Sequence, residues 1–286
     1  MSLAYIYIDM ARKNFFNYVK KKKINDSYIF EITNTKVKTI KKIENKLKEY
    51  KIKKIVCTEE IDDLLFNDYY KITGKNLMNY MLYDILKYIF DIQNVKMELN
   101  DIYFLIKNDD EKYIQNIKML SYYFKSINII TDDIQKFQKI ADTVSKENEC
   151  LIYITSNKVK SLLRAKYIIN FDLNNDEIEK YNINRKGIII NIKNNIRIKN
   201  NLFDGIVINS VEIDFNEEIK KYFDNLMNIF NTSQLYESIL NQKQELEQIR
   251  KRIKEDGVNI LYLNGNNGEI CEEELVKLLD KTKKLV

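Results

Sequence analysis

Between residues 99 and 215, six short apolar runs recur at 102–106, 128–131, 151–155, 167–171, 187–192 and 205–208, with helix-forming stretches between most of them. Each is too short for a helix. Each is also rich in Ile, Val, Phe or Tyr, whose branched or flat side chains suit a pleated strand. Strands separated by helices have no room for tight hairpins, so they pair in parallel through crossovers that cover the sheet. Six such strands within about 115 residues have the rhythm of a doubly wound sheet.

The same alternation, less regular, opens the chain. Residues 3–9 alternate around Tyr5, Ile6, Tyr7 and Ile8, and 27–33 and 54–58 read as further strands. A helix is expected over 11–22, its Lys20–Lys23 run lying favourably against the negative end of the helix dipole. A second helix is expected over 36–50, capped by Thr35, with Val37, Ile40, Ile43, Leu47 and Tyr50 as its apolar stripe. Residues 74–92 are apolar nearly all round, which predicts a buried linker helix. After residue 216 the pattern is helical to about 256, with Tyr222, Phe223, Leu226, Ile229 and Phe230 facing a core. A strand at 258–263, a loop at 264–268 and a helix at 271–283 follow. The expected fold class is therefore α/β with two domains. The first is an N-terminal α/β domain over 1–98 that includes the linker helix 74–92. The second is a Rossmann-like, mostly parallel domain over 99–215. A helical extension occupies 216–286.

Composition narrows the chemistry. The chain has no His, which removes Ser-His-Asp triads, imidazole bases and His-ligated metal sites. Cys57, Cys150 and Cys271 stand far apart with no CxxC, which argues against a zinc knuckle and for free thiols in a reducing compartment. Clustered acids at Glu59, Glu60, Asp62 and Asp63, or Asp109 with Asp132, read as helix-start residues rather than a metal site. The absence of Pro and Trp beside abundant Lys, Asn, Ile and Tyr is the composition of an AT-rich genome. Fifteen Lys or Arg against five acids in residues 1–54 suggest nucleic acid at first sight. The lysines of 36–50, however, alternate with an apolar stripe and read as the wet face of a helix, so no nucleic-acid partner is expected. No run is long and apolar enough for a membrane span. Arg12 and Lys13 interrupt any signal-peptide core. The expected location is cytoplasmic.

The first turn of the second domain carries the functional argument. A dinucleotide site there wants G-x-G-x-x-G, so that backbone N–H groups can approach a pyrophosphate. This chain has Lys107-Asn108-Asp109-Asp110-Glu111-Lys112. Asn108 or Asp109 is expected to cap the next helix, and the acids would repel a phosphate. Asp132, at the end of the second strand, stands where a ribose-binding carboxylate would sit, but helix capping by Asp132 and Asp133 accounts for it more simply. The loop 264–268 reads as a turn, and its partial likeness to a calcium loop as chance.

The order of 102–106, 128–132, 151–156 and Tyr167-Ile168-Ile169-Asn170-Phe171-Asp172 resembles the cofactor domain of shikimate and amino-acid dehydrogenases. In those enzymes a string like "DIVINAT" lies beside the nicotinamide. The resemblance implies that 165–172 is that strand, with Asn170 at its polar position, and that an NAD(P)-dependent oxidoreductase is the alternative activity. Lys71 and Lys75 lie in roughly the region of those enzymes' substrate lysine. Ile72-Thr73-Gly74-Lys75 and Phe203-Asp204-Gly205-Ile206 are also similar to a clostridial protein family that offers no activity to carry over.

A ligand site is expected at the carboxyl ends of the second-domain strands, facing an inter-domain cleft and lined by Asn108, Asp132, Ser156, Asn157, Asn170 and Asp172. The expectation is a non-catalytic or regulatory protein that binds a small uncharged or cationic ligand, or another protein, with no cofactor and no metal. A homodimer is compatible with it.

Overall fold

The computed structural model describes residues 3–9, 18–24, 26–58, 60–61, 65–148 and 150–279. In the first stretch, β1 (Leu3–Ile8), β2 (Val19–Ile24) and β3 (Ser27–Ile32) are followed by α1 (Val37–Glu49), β4 (Lys54–Cys57) and β5 (Tyr70–Ile72). They form a sheet of order β2-β3-β1-β4-β5, parallel except for β2, which runs antiparallel to β3. β1 is central and its apolar run is buried almost throughout, as a strand covered on both faces requires. Ala4, Ile6, Phe30, Ile32 and Ile55 pack with Ile40, Ile43 and Leu47 of α1. Burial of each large side chain there contributes about 1.5–3 kcal/mol.

Two expectations are corrected here. Lys20–Lys23 lie in the edge strand β2, not at a helix end; residues 11–17 of the expected helix lie outside the described residues. Charged side chains on an edge strand keep its open hydrogen-bonding side soluble. Lys21 donates to Tyr50 Oη at 2.7 Å, and Lys20 pairs with Glu31 at 3.7 Å. Secondly, Val37 is exposed, and the N-cap of α1 is Lys36 rather than Thr35, with no side-chain cap bond; two residues earlier, Asn34 Oδ1 accepts from Lys36 N and from the Thr39 hydroxyl.

The apolar segment expected as one helix divides into α2 (Lys75–Tyr80) and α3 (Leu82–Gln93), with Met81 leaving helical geometry between them. Then follow β6 (Asp101–Leu105), α4 (Glu111–Leu120), β7 (Ser126–Ile130), α5 (Ile134–Asn148), β8 (Leu151–Thr155), β9 (Tyr167–Asn170), α6 (Asn175–Ile178), β10 (Ile188–Asn191) and β11 (Ile206–Ile208). All six strands are parallel in the order β11-β10-β9-β6-β7-β8. The strand order reverses between β6 and β9, so this is the Rossmann-like doubly wound sheet. β9, β10 and β11 are buried on both faces. Between β8 and β9, where a helix was expected around 159–163, the chain makes only turns.

The chain continues through β12 (Ser210–Asp214), α7 (Glu217–Phe223), α8 (Thr232–Ile239), α9 (Leu246–Glu255), β13 (Asn259–Gly265), β14 (Gly268–Ile270) and α10 (Glu272–Lys277). The helical reading of 216–256 is therefore three separate helices. β12, β13 and β14 make an antiparallel sheet, and the loop at 264–268 is the tight turn joining β13 to β14. The chain forms two compact units, Met1–Gly74 with Asn216–Leu240, and Lys75–Phe215 with Asn241–Val286. α2 and α3 thus pack within the second unit, and α7 and α8 within the first. No helix among the described residues is long and apolar enough to cross a membrane.

Candidate functional site

β6 ends at Leu105, and the chain turns through Lys107 and Asn108 toward α4. The N–H groups of that turn converge on one carboxylate from the neighbouring strand's loop. Lys107 N donates to Asp172 Oδ1 at 2.8 Å and Asn108 N to Asp172 Oδ2 at 2.9 Å. The Asn108 side-chain amide adds a bond to Oδ2 at 2.6 Å. Charge-assisted hydrogen bonds of this length are the strong kind. Asp172 lies 2 residues past the end of β9, so the switch point of the sheet brings the two loops together, and the carboxylate is 8% exposed. The turn therefore holds an anion through backbone N–H groups, as a phosphate-binding turn does, but the anion belongs to the protein.

The start of α4 is closed as well. Its cap is Asp110, one residue beyond the two expected; the side chain accepts from Lys112 N at 2.9 Å, and the carbonyl accepts from Tyr113 N. Asp109 pairs with Lys136 instead. Around the turn the charges are matched. Lys107 meets Glu177 at 2.6 Å and Lys158 meets Asp132 at 2.9 Å. The Glu177 contact raises the Lys107 amine above its ordinary value, while Lys107 and then the Asn174 N–H hold the Glu177 carboxyl below its own. Asp132 thus pairs with a lysine rather than capping α5. Asp133 takes the capping role, accepting from Lys136 N. Asp172 thus takes the N–H groups of both Lys107 and Asn108.

Beside the turn, the buried amides of Asn170, Asn191 and Asn209 link the carboxyl ends of three strands, and the exposed Asn266 ends the chain. Asn170 donates to Asn191 Oδ1 at 2.9 Å and to Leu173 O, and its own oxygen accepts from Leu173 N. Asn191 donates to Asn209 Oδ1 at 2.9 Å, and Asn209 donates to Asn266 Oδ1 at 2.8 Å. Lys75, from the start of α2, donates to the Asn209 carbonyl. With no carboxylate bonded to it among the described residues, burial brings this amine down to about 8.

The expected residues thus fall into three groups. Asn108, Asp172 and Asn170 meet at the switch point, bonded to each other or to adjacent backbone. Asp132 is engaged by Lys158 at the surface. Ser156 and Asn157 are exposed, with Asn157 Oδ1 accepting from Val159 N and Lys160 N to form the turn after β8. Asn191, Asn209 and Asn266 were not among the expected residues, and Lys75 entered only through the dehydrogenase resemblance. A signal for two of them stands in the sequence: Ile169-Asn170, Ile190-Asn191 and Ile208-Asn209 each end an apolar run with Asn, and parallel pairing puts those ends side by side. Among the described residues no group of three or more Cys, Asp or Glu is placed to hold a metal; Glu59, Asp62 and Asp63 lie outside them.

No protein-family model matches the chain, and no curated protein matches it. Among solved structures it is similar to the crystal structure of L-tryptophan dehydrogenase from Nostoc punctiforme, with 8% identity, covering 89% of this chain and 87% of that one, at a TM-score of 0.32. Nothing about the chemistry of the present chain follows from a likeness that distant.

Proposed function

We propose that this protein is a non-catalytic, binding or regulatory member of the Rossmann-like class, whose dinucleotide crevice is closed by its own carboxylate. One observation carries the reading: Asp172 accepts from the N–H groups of Lys107 and Asn108, the donors that a pyrophosphate would need. The neutral amide chain behind it supports the same reading, because its members satisfy one another and Asn170 is 1% exposed. Of the six residues expected at the strand ends, Asn108, Asn170 and Asp172 are thereby read as closing the crevice, with any ligand held elsewhere.

The alternative, an NAD(P)-dependent oxidoreductase, draws support from Lys75, since an amine lowered to about 8 suits proton transfer near neutral pH. A single titration separates the two. NAD, NADH, NADP and NADPH are added to the full chain while its melting temperature is followed. A ligand at 100 times its dissociation constant stabilises the fold by about 2.7 kcal/mol. The expected result is no shift with any of the four. A saturable shift with any of them overturns the proposal in favour of the oxidoreductase.

A further inference from the structure

Away from the closed turn, the second unit carries an open groove of about 840 Å³ between α4 and α9. The volume is that of a small-molecule site. The N-terminal end of α9 is tied to α4, where Leu246 N donates to Gln115 Oε1 at 3.2 Å, and the remaining faces of the two helices line the gap. α4 and the turns after it contribute Lys118, Tyr122 and Tyr123. α9 contributes Arg250 and Lys254, and α3 contributes Tyr83. Gln115, Lys118 and Met119 of α4, and Glu247, Arg250, Lys251 and Lys254 of α9, fall at helical spacing, so α4 and α9 each present one stripe to the groove.

The stripe chemistry is specific. Tyr83 and Tyr123 lie with ring centroids 4.4 Å apart, and the Arg250 guanidinium stands 5.3 Å over the Tyr83 ring. Arg250 Nε is buried without a hydrogen-bond partner. Among the described residues no carboxylate lies within ion-pair distance of Lys118, Arg250 or Lys254. Lys251, also on the rim, pairs with Glu255. The rim carboxylates Glu245 and Glu247 form no such pair, and Asp84 acts on Arg250 and Lys254 only at longer range. Burial lowers the Arg250 guanidinium from its ordinary value and raises the Asp84 carboxyl, so both lie in a poorly hydrated place. Tyr122 is 69% exposed, which leaves its ring open for stacking. A partly desolvated cation with no carboxylate in ion-pair contact, near the exposed rings of Tyr122 and Tyr123, is complementary to a flat ring that carries a negative charge.

We propose that this groove binds a planar aromatic anion, an aryl carboxylate or aryl phosphate monoester, with its ring on the tyrosines and its charge against Arg250, Lys118 and Lys254. The inference goes beyond the closed-crevice reading above and uses none of the residues around Asp172.

The test is isothermal titration of the full chain with 2-naphthoate and, separately, with phenyl phosphate. 2-Naphthol supplies the ring without the charge; acetate and inorganic phosphate supply the charge without the ring. One saturable site is expected for at least one aryl anion, with each control about tenfold weaker or more, the ratio expected for loss of one charge-assisted contact. Whichever anion binds fixes the carboxylate or phosphate source. Arg250→Met, Lys118→Met and Tyr122→Ser should each weaken it about tenfold with an unchanged circular-dichroism spectrum. Lys118 and Tyr122 keep the test valid should Arg250→Met fail to fold. Asp172→Ala should leave the affinity as it is. The proposal is overturned by no saturable binding of either anion, by 2-naphthol binding as well as 2-naphthoate, or by folded variants that bind like the parent. A dinucleotide shift in the preceding titration would overturn the closed-crevice reading and leave this groove standing.

Discussion

Asp172 accepts three hydrogen bonds, and two of their donors are backbone N–H groups with no other means of satisfaction in the turn. Asp172→Ala leaves those donors unpaired beside a buried strand end, and a loss of about 2–4 kcal/mol is expected. Urea unfolding should show it as a lower midpoint at unchanged slope. A midpoint equal to that of the parent would mean that water replaces the carboxylate at no cost. Lys75 supplies a prediction of opposite character. Its amine is near 8 when folded and near 10.5 when unfolded, so between those values the unfolded chain binds more protons. Stability should therefore rise with pH from about 8, and the full cost of the buried charge is present below it. Above about 10 the buried tyrosines act the other way: burial pushes the Tyr5 and Tyr167 hydroxyls up, so the unfolded chain loses protons first. Urea midpoints at pH 7.5 and 9.5 should differ for the parent and converge for Lys75→Met, which should itself gain roughly 1–3 kcal/mol at pH 7.5. Equal pH dependence in the two would disprove the assignment. At this scale the sequence was half legible. Asn108, Asn170 and Asp172 announce themselves as polar residues at strand ends. That Asp172 would close the turn was not readable, because the contact spans 64 residues and depends on the strand order.

At the scale of elements, the apolar runs were the most legible feature, since strands buried on both faces must be continuously apolar. Ile188–Asn191 is the plain case, buried at every residue. Helix and strand were confused where charge concealed the period. Lys20–Lys23 read as a basic helix end, yet pairing with β3 overrides the weak strand propensity of lysine. The turns between β8 and β9 were missed for a different reason. Without a crossover helix there, Tyr153 and Leu151 of β8 stay 56% and 51% exposed, and nothing in their own identity foretells it. The approach of β11 to β10 is tight enough to test. A Cβ on Gly205 would lie 2.2 Å from the Gly187 carbonyl oxygen and 2.6 Å from the Phe203 ring. Gly205→Ala must then displace backbone, and a loss of about 1–3 kcal/mol is expected, read as a lower melting temperature. Gly268→Ala is the control for loss of a glycine with open space around it, although its φ of 102° adds backbone strain of its own. A parent-like melting temperature for Gly205→Ala would show that the two strands part more easily than their register implies.

At the scale of the whole molecule, neither unit is continuous in sequence. The chain completes the first unit only after the second has begun, because Asn216–Leu240 returns to the sheet of Met1–Gly74. That return covers a face the sheet cannot leave open. Tyr5, 1% exposed, donates or accepts a 2.8 Å bond with Ser238 and meets Phe230 edge-on at 5.5 Å. Tyr7 meets the same ring at 6.3 Å, and Gln234 donates to the Cys57 carbonyl. The second unit is likewise finished by α9 and by the strands β13 and β14. Ending the chain after residue 215 therefore exposes Tyr5 in one unit and strips β12 of its partner in the other. A parallel sheet with one face bare lacks the burial that offsets its conformational entropy. The shortened chain should show no cooperative thermal transition, and the amides of β1 and β4 should exchange hydrogen at least tenfold faster than in the full chain, a factor that corresponds to about 1.4 kcal/mol of lost protection. Retention of full protection in β1 would refute this, since it would require the first sheet to be stable with the α8 face uncovered. Restoring 216–240 alone should recover protection in β1 and β4 but leave β12 unprotected, because its partner β13 lies beyond residue 240.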